Sequence, residues 1–202
     1  FAAGQYLEWT LPLESSDSRG NRRYFTIASA PADEQLRLGV KFVPEGSAFK
    51  RGLAQLQPGD RVVASQLAGS FTLPRNPRRK LAFIAGGIGI TPFRSMLEEL
   101  LERGESRPVT VLYGSNGLEE IAYADLLKRA RQELGIRTYY AVRDGVGATE
   151  DITAGVIDAE MIRSRIPDYR DRTFYISGPQ AMVTAVRHSL RPGRRGLERD
   201  EP

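Results

Sequence analysis

Gly86, Gly87 and Gly89, followed by Thr91 and Pro92, stand between an apolar run and a helical period, where a glycine loop can bind a diphosphate. Glycines remove side chains so that backbone N–H groups approach phosphate oxygens, and the free amides and dipole of a helix N-terminus favour the negative charge. Thr91 reads as the N-cap and Pro92 as the first helical residue. Phe93, Met96, Leu97, Leu100 and Leu101 then share one helical face. A P-loop would end in Gly-Lys-Ser/Thr, and a Rossmann fingerprint would place a third glycine where Pro92 stands, so neither pattern is met. Such a loop also serves as a tight structural turn, and other residues must agree with the binding reading.

The elements that position this loop change character near residue 77. Before it, short alternating runs over 5–11, 22–29, 36–42 and 61–67 predict antiparallel strands closing as a small β-barrel. After it, apolar runs over 81–85, 109–113, 138–142 and 173–177 alternate with helical stretches over 92–103, 119–133, beyond Asp158, and over 180–190. Repeated β-α units predict a parallel sheet covered by helices on both faces. Ligands bind beyond the carboxyl ends of such strands, where Gly86, Gly114 and Gly178 all fall, pointing to one crevice. Residues 191–202 mix arginine with Glu198, Asp200 and Glu201 and read as a disordered tail.

Composition narrows the chemistry. The 202 residues are 41% hydrophobic, enough for one large or two small domains. No apolar stretch approaches the roughly 20 residues that span a bilayer, and nothing resembles a signal peptide, so a cytoplasmic location is expected. Without cysteine there is no disulfide, iron–sulfur or zinc-thiolate site, and with one histidine no histidine metal cluster. No metal is expected, and redox chemistry would need an organic cofactor. The net charge of +4 suits an acidic partner or a phosphate-rich ligand. Nucleic acid is not expected: the basic cluster over 75–80, preceded by Pro74 and containing Pro77, reads as a solvated interdomain linker. His188 has no triad partners in view, and Glu98-Glu99 and Glu119-Glu120, adjacent on helices, read as solvated faces.

Gly86-Gly87-Ile88-Gly89-Ile90-Thr91-Pro92 resembles the pyridine-dinucleotide motif of the ferredoxin-NADP reductase family. Arg23-Tyr24-Phe25-Thr26 is similar to its Arg-x-Tyr/Phe-Ser/Thr flavin signature. Strand alternation puts Arg23 and Phe25 on one face. The resemblance implies that Arg23 meets flavin phosphate, Phe25 stacks on the isoalloxazine and Thr26 orients its N5; the alternative is a core aromatic beside a solvated arginine. The segment over 44–49 resembles the one whose Gly46, Ser47 and helix start hold the flavin diphosphate. Ser47 equally reads as the N-cap of a short helix to about Gln55. Ser177-Gly178-Pro179-Gln180-Ala181-Met182 resembles the family's Cys/Ser-Gly-Pro-x-x-Met element. There Gly178 and Pro179 would receive the nicotinamide ribose, Met182 would pack the next helix, and Ser177 stands where plant-type members place a cysteine near the hydride path. Ser115 and Arg143 align with segments that hold the 2′-phosphate in NADP-using relatives. They favour NADPH, while Asp144 would repel a phosphate and leaves NADH as the alternative.

The resemblance runs from Gly4 to about Leu190. It implies a β plus α/β fold: an antiparallel Greek-key flavin-binding barrel over 1–76, N-terminally incomplete, then a parallel-sheet α/β NAD(P)-binding domain over 77–190. It also implies FAD and NADP, or NAD, as cofactors, with Thr26 and Ser177 as the catalytic contacts. Electrons would pass to ferredoxin, flavodoxin or another redox protein or redox domain. The family's first barrel strands and its last strand with an aromatic C-terminus have no counterpart here, so a fragment is expected. The competing reading is a non-catalytic or regulatory nucleotide-binding module with weak flavin retention.

Overall fold

A computed structural model of the chain describes residues 1–144 and 147–190. Three strands, β1 (Tyr6–Thr10), β2 (Arg22–Thr26) and β3 (Val63–Ala68), form an antiparallel sheet in the order β2-β1-β3. The β1–β3 register shifts between Tyr6 and Glu8, and Gln66 takes up the extra residue at φ 53°, the geometry of a bulge. The helix α1 (Ala48–Gln55) packs beside β2, with Phe49 fully buried and its ring 5.8 Å from that of Phe25.

The expected strand over 36–42 does not form. Its one ladder contact is an isolated bridge between Ile27 and Leu38, and Leu36 and Phe42 are 50% and 51% exposed. The alternation has no core beneath it. Gly39 lies instead against the Thr91 side chain and the Tyr123 hydroxyl, too close for a Cβ, so this segment serves as a contact with the second half. Among the described residues the first sheet is an open one of three strands, and closure into a Greek-key barrel is not seen.

The second half is a five-stranded parallel sheet in the order β7-β6-β5-β4-β8, with β4 (Leu81–Gly86) between β5 (Val109–Ser115) and β8 (Thr173–Ser177). On its outer side, β6 (Arg137–Val142) carries the short edge strand β7 (Ile152–Ala154). Every residue of β4 is buried, as a strand covered on both faces must be. Leu81, Phe83 and Ala85 face the core shared with α2 (Thr91–Glu102) and α3 (Ala124–Leu134); Ala82 and Ile84 face the one shared with α4 (Ala159–Arg165) and α5 (Gln180–Ser189). The Phe83 and Phe93 rings stack at 4.7 Å.

Two helix starts differ from the sequence pattern. Thr91 is not the N-cap: Gly87–Ile90 winds into a 3-10 turn, Ile90 holds the cap position, and the Thr91 hydroxyl donates to the Ile88 carbonyl at 3.2 Å. Pro92 does sit in the first turn. The helix expected over 119–133 starts at Ala124, after a 3-10 turn at Leu118–Glu120 and a left-handed Tyr123 at φ 60°.

The halves are bound by specific contacts. Nη1 of the buried Arg94 donates to the Ala28 carbonyl and the Ser95 hydroxyl to that of Ser29, each at 2.6 Å. Tyr175 donates to the Thr72 carbonyl at 2.8 Å, and Phe71 packs on Phe93 and Tyr175. The basic cluster is a tethered turn: Arg79 donates to Thr173 and Lys80 pairs with Asp168. No helix among the described residues is long and apolar enough to cross a membrane. The tail expected over 191–202 lies outside the described residues.

Candidate functional site

The parallel register aligns three strand ends: Gly86 pairs with Gly114, and Ala85 with Ser177. A cleft of about 730 Å³ opens there, between these ends and the first sheet. Gly86, Gly87, Gly89 and Thr91 line it from β4 and the loop beyond; Gly114 and Ser115 from β5; Ser177, Gly178, Pro179 and Met182 from β8 and α5. From the first half come Tyr24, Phe25, Thr26, Lys41 and Lys50.

The glycines do two different things. A Cβ on Gly178 would lie 2.8 Å from Met182 Cε and 3.0 Å from Gly86 Cα, and one on Gly89 would lie 2.6 Å from Gly178 Cα and strike the Ser177 carbonyl. Absent side chains therefore let the β4 and β8 loops touch and form the floor, with Met182 packed beneath Gly86. Gly87 has φ 50°, and a methyl added to it would meet nothing within 4 Å, so it borders open space. The Ser115 hydroxyl is buried without a hydrogen-bond partner, and the Arg143 amide donates to the Ser115 carbonyl at 3.1 Å. Arg143 also lines the cleft; Asp144 is exposed outside its lining. Bare backbone at Gly87 on a floor of closely packed glycines, an orphaned Ser115 hydroxyl and a cationic rim fit a dinucleotide.

On the first sheet the structure separates the flavin-side residues. Phe25 and Thr26 reach the cleft, but Arg23, Gly46 and Ser47 do not line it. Arg23 lies 3.3 Å from Asp17 Oδ1, and its Nη1 donates to the carbonyls of Arg19, Gly20 and Arg22 at 2.7, 3.0 and 2.6 Å. The other Asp17 oxygen accepts from the Ala48 amide at 2.9 Å, and the Ala48 and Arg19 amides hold this carboxyl below its ordinary pKa. Ser47 N-caps α1, accepting from the Lys50 amide. Tyr24, which shares a strand face with Thr26 and also lines the cleft, is 60% exposed, and its hydrogen bond to Glu8 pushes its phenol pKa up.

Lys41, Lys50 and Glu120 also line the cleft, with no sequence motif to mark them. Lys50 Nζ donates to the Lys41 carbonyl at 2.7 Å, and Lys41 Nζ pairs with Glu120 across the cleft at 2.7 Å. Glu120 also accepts from Asn116, and its hydrogen bond from Lys41 lowers its pKa. It is exposed, as a solvated face requires, and also forms part of the cleft wall. Glu99, by contrast, is nearly buried and paired with Arg103, and Glu98 joins Arg94 to Arg129.

Residues 83–188 match the family described as the oxidoreductase NAD-binding domain. The chain belongs to this family. The membership agrees with the ferredoxin-NADP reductase resemblance carried by residues 23–26 and 86–92. A flavohemoprotein of Oceanobacillus iheyensis is 27% identical over 195 residues, which cover 94% of the chain and 48% of that protein. The chain thus spans about half the length of the curated relatives it matches. The cytochrome P450 reductase of Amycolatopsis superposes with a TM-score of 0.76 at 29% identity, covering 96% of this chain and 59% of that one. The FAD/NAD-binding domain of the Vibrio cholerae nitric oxide dioxygenase shares the fold at a TM-score of 0.80, with 24% identity, 94% of this chain and 79% of that one covered.

Proposed function

We propose that the chain is the reductase portion of a flavin-dependent NAD(P)H oxidoreductase, taking hydride from NAD(P)H onto FAD and passing electrons to a redox partner. The observation that carries this reading is the shared cleft: Phe25 and Thr26 from one half and the Gly86–Gly89 loop, Ser177 and Gly178 from the other line the same space. The two cofactors supply hydride donation and its conversion to one-electron transfer. The chain's residues hold them in place. Phe25 offers an aromatic face, Thr26 a hydroxyl and amide at the strand exit, and Ser177 a hydroxyl at the end of β8. Gly178 leaves room for a ribose beside the backbone. Contacts such as that from Arg94 to Ala28 keep these groups at fixed separation, which converts two binding events into one oriented encounter.

The unpartnered Ser115 hydroxyl and the Arg143 side chain favour NADPH over NADH as donor. The relatives named for haem, a flavohemoprotein and a cytochrome P450 reductase, support a haem protein or haem domain as acceptor. The test is to reconstitute the purified chain with FAD, desalt it and titrate it anaerobically with each dinucleotide. Retained flavin bleached at lower concentrations of NADPH than NADH is expected. A desalted chain without flavin contradicts the reductase reading and favours a nucleotide-binding module.

A further inference from the structure

We propose that Lys50 supplies the principal positive charge for the flavin diphosphate, the role that the sequence motif gives to Arg23; this inference rests on the reductase reading above. The Arg23 guanidinium is spent on Asp17 and three backbone carbonyls and does not reach the cleft. At the start of α1, Asp17 takes the Ala48 amide and Ser47 the Lys50 amide. The Arg23 guanidinium and the Ser47 hydroxyl are thus both engaged within the chain.

Lys50 has the opposite circumstances. It lines the same cleft as Phe25, from the second position after the Ala48 start of α1. Its Nζ makes one hydrogen bond, to the Lys41 carbonyl, and no ion pair among the described residues. An ammonium has three donors, leaving two for phosphate oxygens. Lys41 is less suited because Glu120 already neutralises it. Arg143 belongs to the far wall, at the end of β6.

The experiment compares dissociation constants of FAD, riboflavin and NADP⁺ for the wild-type chain, Lys50→Gln and Lys50→Arg, using flavin fluorescence quenching and equilibrium dialysis. Losing one charge-assisted contact predicts FAD binding weakened roughly ten- to hundred-fold in Lys50→Gln. Riboflavin, which has no phosphate, and NADP⁺ are expected to bind as to wild type, and Lys50→Arg to retain FAD. Unchanged FAD binding in Lys50→Gln overturns the inference, as does an equal loss of riboflavin, which marks a structural role. A loss confined to NADP⁺ also overturns it, by giving the lysine to the dinucleotide. Wild type that binds neither flavin overturns the reductase reading itself.

Discussion

At Gly87 and Gly89, two residues apart, an added methyl meets opposite surroundings. On Gly89 it strikes the backbone of Ser177 and Gly178, which cannot yield; on Gly87 it enters open space and meets only the strain of a positive φ. Gly89→Ala is expected to destabilise the fold by about 2 kcal/mol, in the usual range for overpacking, as read by urea unfolding. Gly87→Ala should lose about 1 kcal/mol for its left-handed backbone, yet weaken dinucleotide binding because its methyl projects where the ligand passes. Equal effects on stability would show that the two glycines share one role. The glycines were legible in the sequence because their function is a backbone property set by local spacing. Arg23 was legible only as a residue type: its partner Asp17 sits in an irregular turn with no pattern to announce it. Lys41 and Glu120 were not legible, since their meeting spans 79 positions and depends on the folded topology.

Among the elements, α2 matters most because it begins at the glycine loop and grips the segment leaving β2. Arg94 joins Ala28 to Asp33, Glu98 and the Tyr123 ring from a nearly buried position. Arg94→Met would leave the Ala28 carbonyl without its donor and take the cation from Asp33 and Glu98, which keep the Ala30 amide and Arg129, and should cost about 2 kcal/mol, the scale for an unsatisfied buried acceptor. Hydride transfer should slow more than either cofactor's affinity falls, because the misfit is in orientation. Stopped-flow reduction alongside binding titrations separates the two effects. In α1, Ser47→Ala removes a side-chain cap and should cost about 1 kcal/mol in thermal or urea unfolding. The helix α2 was legible through its strict apolar period, and β4 through its unbroken apolar run. The segment over 36–42 has an equally clear alternation and misled, because a period of two shows which residues share a face and not whether a neighbouring strand exists to pair with them.

Across the whole molecule, the ends of the parallel sheet have opposite tasks. The carboxyl ends form the cleft; the amino ends are fastened by charge, where Asp168 accepts from Arg172 at 2.7 Å and Lys80 at 2.9 Å. These two partners hold the Asp168 carboxyl at about 2, below its ordinary 3.8. The stabilisation is complete above the ordinary value, falls as pH drops toward 2 and is lost below it. Between pH 4 and pH 2 the wild type should therefore lose stability more steeply than Asp168→Asn, as measured by urea midpoints at successive pH values. Parallel slopes would show that the pair carries no folding free energy.

The claim that both halves build one reaction site is tested most directly by anaerobic stopped-flow absorbance of the FAD-loaded chain mixed with NADPH. A single bleaching of the flavin band, slowed when the C4 hydrogen of NADPH is replaced by deuterium, is the predicted result. A flavin band that stays unbleached while both cofactors are demonstrably bound would rule out a shared reaction site.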